Sequence, residues 1–242
     1  MFDVFKPTKK KAEKLFREAM NTGNWGPAIK YYQGFVEKNP RDFEAHNDLG
    51  WMLLQVDHAE DALEHFDRAI ALEDDPAHYS NKGQALLKLE RYEEANAALD
   101  RALELDPEDA EPAYYKAVSL RLQEDIEGCI AALDEVLEED PEFAPALMEY
   151  AGCLKEQDRD EEAVEYMERA VEDRPMWIPA RLSAISTLCD LARYPDAMTH
   201  LEAIDEMGAE VVVELGDGDL EITINGQVIY EGEYDETVPG FG

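Results

Sequence analysis

Apolar positions between residues 9 and 208 recur at the three- and four-residue spacing of amphipathic helices, in segments separated by short polar turns. The same order of small, apolar and polar positions returns after every 33 or 34 residues. This period predicts a stack of repeated helix pairs, each burying its apolar face against its neighbours. The small residue of the second helix marks the period most clearly, as Ala28, Ala62, Ala95, Cys129, Ala163 and Ala197.

The period divides most of the chain into six repeats of two helices. A proline closes four of them, and the residue before a proline avoids helical angles, so the second helix ends there. After an N-terminal tail at 1–8, the expected repeats are 9–42, 43–75, 76–109, 110–143, 144–177 and 178–208.

These positions resemble the tetratricopeptide repeat, which has Leu-Gly in its first helix, Ala-x3-Phe in its second and a late proline. The second repeat carries the matching residues Leu49, Gly50, Ala62 and Phe66. The resemblance covers roughly residues 9–208 and implies an all-α fold, a right-handed superhelical solenoid of about six helix pairs.

After residue 208 the apolar residues follow a period of two and are rich in Val, Ile and Thr. This pattern predicts a C-terminal β-ribbon at 209–234, with strands at about 210–215, 219–224 and 227–231. A flexible tail is expected at 235–242. Such a ribbon is marginally stable alone, so its apolar face must cover the sixth repeat or the ribbon must pair with another chain's edge.

Two registers are compatible with the Asn-Gly sequence that joins the last two strands. A two-residue turn places Ile222 opposite Ile229. A three-residue loop with a glycine bulge places Ile222 opposite Val228 and Leu220 opposite Tyr230. The bulged loop gathers the apolar residues on one face, so we predict this register.

The chain is strongly acidic, with 57 acidic and 22 basic residues and a net charge of −35. Residues 1–42 carry 9 basic and 5 acidic residues, so the acidic excess lies entirely in residues 43–242. This charge argues against binding to nucleic acid or to acidic lipid. A solvated surface, a saline cytoplasm and an acidic docking face for a basic partner all remain compatible with it.

The sequence shows no sign of catalytic chemistry. It contains no P-loop, nucleophile elbow or dinucleotide fingerprint. His58, Asp61 and His65 have helical spacing but no metalloprotease motif, so we expect no catalytic residue, metal or cofactor. Three widely spaced cysteines and the lack of an apolar run of 18 residues favour a cytoplasmic protein without a membrane span.

In the resembled family the first helix of each repeat lines a concave groove that contacts a partner. That resemblance implies partner-binding roles for eight residues in particular: Asn47, Trp51, Asn81, Gln84, Tyr114, Tyr115, Met148 and Glu149. The aromatic residues are expected either to anchor a partner or to pack against a neighbouring repeat. The amides are expected to hydrogen-bond an extended peptide.

The sequence therefore predicts a scaffold or adaptor that binds a protein or peptide segment in an acidic concave groove. An alternative is a self-assembling structural protein. In that case the chain forms homo-oligomers through its basic first repeat or its C-terminal ribbon.

Overall fold

The computed structural model describes residues 7–215 and 219–233. These ranges leave out most of the expected N-terminal tail and the whole expected C-terminal tail. They also leave out residues 216–218, which connect the first two expected strands. The described residues contain twelve helices followed by three strands. The helices are α1 (Lys9–Thr22), α2 (Gly26–Lys38), α3 (Phe43–Gln55), α4 (Ala59–Leu72), α5 (Pro76–Lys88), α6 (Tyr92–Leu105), α7 (Ala110–Leu122), α8 (Ile126–Glu139), α9 (Ala144–Glu156), α10 (Asp160–Asp173), α11 (Ile178–Asp190) and α12 (Tyr194–Glu206). The strands are β1 (Val211–Leu215), β2 (Asp219–Ile224) and β3 (Gln227–Glu233).

The chain forms two compact units, an N-terminal unit (Met1–Ser119) and a C-terminal unit (Leu120–Gly242). Consecutive helices pack as pairs within each unit. The N-terminal unit pairs α1 with α2, α3 with α4 and α5 with α6, and the C-terminal unit pairs α9 with α10 and α11 with α12. The expected all-α repeat fold with a short C-terminal β element is confirmed.

The small residues that mark the period all lie in the second helix of a pair. All six, from Ala28 to Ala197, are fully buried. In two pairs the first helix has a glycine where the second helix packs against it. A Cβ on Gly50 would lie 2.7 Å from the Phe66 ring, and one on Gly83 would lie 2.6 Å from Leu99. The paired helices therefore approach closely because one of them presents bare backbone.

The turn inside the helix pair has the same backbone conformation from the second repeat to the sixth. One residue of each turn has a positive φ, which ends the first helix in the left-handed region. The residue after it, just before the second helix, donates its N–H to a leucine carbonyl, as His58 does to Leu53 and Arg91 to Leu86. The left-handed residues of the six turns are Gly23, Asp57, Glu90, Glu124, Asp158 and Ala192, so only the first turn uses glycine.

The three strands form an antiparallel sheet in the order β1-β2-β3. The predicted register between β2 and β3 is wrong, because Ile222 lies opposite Tyr230 and not opposite Val228. Asn225 and Gly226 both have positive φ, at 52° and 74°, and form a two-residue turn that suits the twist of the strands. The extra residue is accommodated further along β3, where Ile229 forms a bulge.

The bulge in β3 decides which side chains face the helices. It brings Tyr230 onto the same face as Leu220, Ile222 and Ile224, and all four side chains are buried. This face covers the last helix pair, with β3 against α11 and β1 against α12. Burial, together with the nearby Asp190 carboxylate, raises the pKa of Tyr230 to about 12. Within one chain, the ribbon therefore packs on the sixth repeat.

Candidate functional site

Two asparagines in the N-terminal unit occupy equivalent positions on successive first helices. Asn47 of α3 and Asn81 of α5 are 34 residues apart, and Asn81 Nδ2 donates a hydrogen bond of 2.9 Å to Asn47 Oδ1. Both side chains are half-buried. Gln84 is also half-buried and lies one turn after Asn81 on α5. We call Asn47, Asn81 and Gln84 the amide row.

A second bond links the same two helices near their C-terminal ends. Lys88 Nζ donates to the Leu54 carbonyl at 3.2 Å and to Asp57 Oδ1 at 2.7 Å. The Leu54 carbonyl at the end of α3 thereby accepts from the lysine as well as from the backbone N–H of Asp57. Polar contacts at two places along the helices thus hold α3 and α5 side by side beneath the amide row.

Trp51, the most prominent predicted anchor, lies in an aromatic cluster with the first helix pair. Its ring centroid is 5.2 Å from that of Trp25 and 5.7 Å from that of Phe16. Phe16 in turn lies 6.3 Å from Tyr32. The sequence left open whether Trp51 binds a partner or packs on a neighbouring repeat, and this geometry favours packing.

Tyr114 and Tyr115 lie side by side on α7, with ring centroids 5.0 Å apart. Tyr115 stands 34 residues after Asn81, at the equivalent position of the next repeat. Burial, with Glu111 nearby, raises the pKa of the Tyr115 hydroxyl, and burial also raises the pKa of Glu111. The Tyr115 ring packs against the core of the N-terminal unit, so only part of it faces outward.

The remaining predicted residues lie in the C-terminal unit, on α9. Glu149 is paired with Arg121, which also contacts Glu156 at 3.2 Å. Met148 packs against a small cluster around Ala144 and Leu147. The Glu149 carboxylate is thus largely occupied by an internal ion pair, and Met148 is partly a packing residue.

The structure also reveals two close contacts that sequence spacing did not indicate. Cys129 of α8 and Cys153 of α9 are buried with their sulfur atoms 3.3 Å apart. His65 does not pair with His58, its neighbour in sequence. It stacks on His46 instead, with the two Nδ1 atoms 3.1 Å apart. Both pairs join residues from different helices, so only the packed fold brings them together.

We expect the histidine pair to make the protein less stable as the pH falls. Burial lowers the pKa of both His46 and His65, with Arg68 adding to the effect and Asp42 opposing it at His46. The unfolded chain therefore takes up protons first, near pH 6.5. The contribution of the neutral histidines to the free energy of unfolding is fully present above that pH. It decreases below that pH, by at most about 1.4 kcal/mol per pH unit for each histidine.

Urea unfolding at a series of pH values between 8 and 5 tests this expectation. The double variant His46→Asn/His65→Asn should show a flatter dependence of the unfolding free energy on pH. His58→Asn is the matched control for the loss of a histidine as such, because the His58 side chain is exposed. An equal slope in the double variant and the parent would show that the pair does not titrate on unfolding.

Comparison with known proteins identifies the architecture. Three models of the tetratricopeptide repeat family match residues 13–78, 79–109 and 120–186. The chain belongs to the tetratricopeptide repeat family. No curated protein matches the sequence.

Several solved structures share the fold of this tetratricopeptide repeat protein. TTC0263 from Thermus thermophilus is 20% identical with a TM-score of 0.68, over 75% of this chain and all (100%) of that one. PilW, described as a type IV pilus biogenesis factor, is 19% identical with a TM-score of 0.63, over 81% and 92%. PilF of Pseudomonas aeruginosa is 17% identical with a TM-score of 0.59, over 82% and 90%. At these identities the likeness shows the fold alone.

Within 7–215 and 219–233, no helix has the length and apolar character that a membrane crossing requires. The same residues bring together no group of three or more His, Cys, Asp or Glu side chains suited to a metal ion.

Proposed function

We propose that this tetratricopeptide repeat protein is a binding scaffold whose N-terminal unit holds an extended segment of a partner protein along the amide row. The observation that carries the proposal is the hydrogen bond between Asn47 and Asn81 at equivalent positions of two repeats. It fixes both amides on adjacent helices, so their remaining donors and acceptors are oriented before a ligand binds. Pre-organised groups lose less entropy on binding.

The chemistry of an amide row suits the backbone of a peptide. Each asparagine or glutamine carries a carbonyl acceptor and an NH₂ group with two donors. The mutual bond uses one donor of Asn81 and one lone pair of Asn47, which leaves capacity on both residues. A peptide backbone presents donors and acceptors alternately, and such a row can bind them with little dependence on side chains.

The charge of the protein supports a basic partner. With a net charge of −35, most of the surface attracts Lys and Arg side chains and raises the association rate of a basic segment. The role we propose is one of binding without catalysis. A location in the cytoplasm remains a prediction from the sequence.

Selection from a displayed library of short random peptides tests the proposal. We expect selected peptides to be rich in Lys and Arg. In fluorescence anisotropy, the variant Asn47→Ala/Asn81→Ala should weaken their binding by about tenfold or more, because each lost hydrogen bond contributes about 1 kcal/mol. Trp51 is unsuitable for this test, since its loss would damage the aromatic cluster.

Asn96→Ala is the matched control. Asn96 lies on α6, the second helix of its pair, and its Oδ1 atom is buried without a partner among the described residues. This variant should bind the selected peptides as the parent does. Enriched peptides that bind the double variant and the parent equally well would exclude the amide row as the binding site.

A further inference from the structure

The outward face of the C-terminal sheet carries like charges in direct register. Glu214, Glu221 and Glu231 lie opposite one another across β1, β2 and β3, and we call them the acidic row. Asp219 and Glu233 form a second opposed pair beside it. None of these carboxylates has a salt-bridge partner among the described residues. Like charges directly opposite in a sheet are destabilising, so the fold gains nothing from this arrangement.

The first helix presents the opposite charge in a comparable arrangement. Lys10, Lys14 and Arg17 are exposed on α1 at spacings of four and three residues, so they lie along one face; we call them the basic stripe. Of the three, Lys14 is paired with Glu18 of the same helix at 3.3 Å, an exposed and therefore weak contact that a carboxylate of another copy can replace. The helix packs on α2 through its other face, where Ala12 and Ala19 are buried. No acidic residue occupies its first turn. Lysines at that end oppose the helix dipole, so this charge also disfavours the fold.

The dimensions of the two surfaces agree. Arg17 lies seven positions after Lys10, which corresponds to about 10.5 Å along a helix. Glu214 and Glu231 lie two strand spacings apart, which corresponds to about 9.6 Å. A helix laid across the three strands therefore places one cation near each carboxylate of the row.

We propose that the basic stripe of one copy binds the acidic row of a second copy, so that the protein self-associates head to tail. The two surfaces differ, so the contact is heterologous. This contact makes no use of the amide row, and the binding of a partner segment and self-association are independent.

Sedimentation velocity of the full chain over a concentration series tests the proposal. At about 150 mM salt, charges farther apart than about 8 Å are screened, so the overall repulsion between acidic copies is weakened while contacts between paired charges persist. We expect concentration-dependent association under these conditions and its loss at about 1 M salt, where screening acts over about 3 Å. A monomer at every concentration in about 150 mM salt would overturn the proposal.

Charge reversal assigns the surfaces. Glu214→Lys/Glu221→Lys/Glu231→Lys should raise the dissociation constant by about tenfold or more, and so should Lys10→Glu/Lys14→Glu/Arg17→Glu. Mixing the two variants should restore association, because each basic surface again meets an acidic one. Restoration also shows that both variants are folded. If the mixture stays monomeric, the two surfaces do not bind each other.

A control variant separates the acidic row from the net charge. Glu135→Lys/Glu138→Lys/Glu202→Lys changes the charge by the same amount at exposed helical positions that have no salt bridge among the described residues. It should associate as the parent does. An equal loss of association in this control would attribute the effect to overall charge and overturn the proposal. Asn47→Ala/Asn81→Ala should likewise associate as the parent does, which keeps this test distinct from the peptide experiment.

Discussion

Replacing Phe66 with alanine is expected to lower the free energy of unfolding by about 3–5 kcal/mol. The ring is fully buried at the crossing of α3 and α4, where it lies over the bare backbone of Gly50. Its removal takes away a large apolar surface and leaves a cavity that two close-packed helices cannot readily fill. Urea unfolding followed by circular dichroism measures the loss.

The effect of Gly50→Ala should change sign with the residue at position 66. In the parent protein the new Cβ would lie 2.7 Å from the Phe66 ring, so the substitution strains the crossing. In the Phe66→Ala background that obstacle is absent. The greater helix propensity of alanine, about 1 kcal/mol, then stabilises α3. The coupling between the two sites appears as non-additivity in a double-mutant cycle.

Gly152→Ala provides the control for this cycle. Gly152 also lies inside a helix, α9, but an added Cβ there has no neighbouring atom within 4 Å. The substitution should stabilise the protein by about 1 kcal/mol whether or not Phe66 is present. If Gly50→Ala stabilised the parent protein as well, the steric account of the crossing would be wrong.

Replacing Ile222 with alanine is expected to cost about 2–5 kcal/mol of stability in the last helix pair and the sheet. Ile222 is fully buried at the centre of the sheet face that covers α11 and α12. In repeat proteins stability is approximately a sum of neighbouring interfaces, so the loss should be local. Hydrogen exchange should therefore become faster in α11, α12 and the strands before it does elsewhere.

Val228→Ala is the matched control, since Val228 lies on the opposite face of the sheet and is 51% exposed. It should change the stability by less than about 0.5 kcal/mol. Equal effects of the two substitutions would mean that the sheet does not depend on its contact with the helices. The sheet would then have to be stable on its own, which is unusual for three short strands.

The candidate site was predictable from sequence only in part. The period places Asn47, Asn81 and Tyr115 at equivalent positions, because each is 34 residues from the next. Their positions on the helices can therefore be predicted from the repeat period. The direction of a large side chain cannot be predicted in this way, since it depends on which neighbouring surface is available. Trp51 packs toward Phe16 and Trp25, and its predicted role as a partner anchor remains untested.

The contacts between His46 and His65 and between Cys129 and Cys153 show the same distinction. Each pair joins residues of two different helices. The distance between them along the sequence therefore does not indicate the contact. His58 and His65 are seven residues apart, a spacing that places two residues on the same face of one helix. Packing between helices selected a different partner.

The sequence by itself determined the repeated helix pairs and the presence of a short C-terminal β element. These features depend on local periodicity and on small residues at fixed intervals, which act within one repeat. Only the tertiary structure decided the register of β3, where the turn has two residues and the bulge follows it at Ile229. Tyr230 reaches the apolar face whether the bulge lies in the loop or after it. The pattern of apolar residues along the chain therefore does not distinguish these two registers. The burial of Tyr230 and the packing of β3 on α11 fix where that ring lies, because this contact joins elements that no local pattern relates.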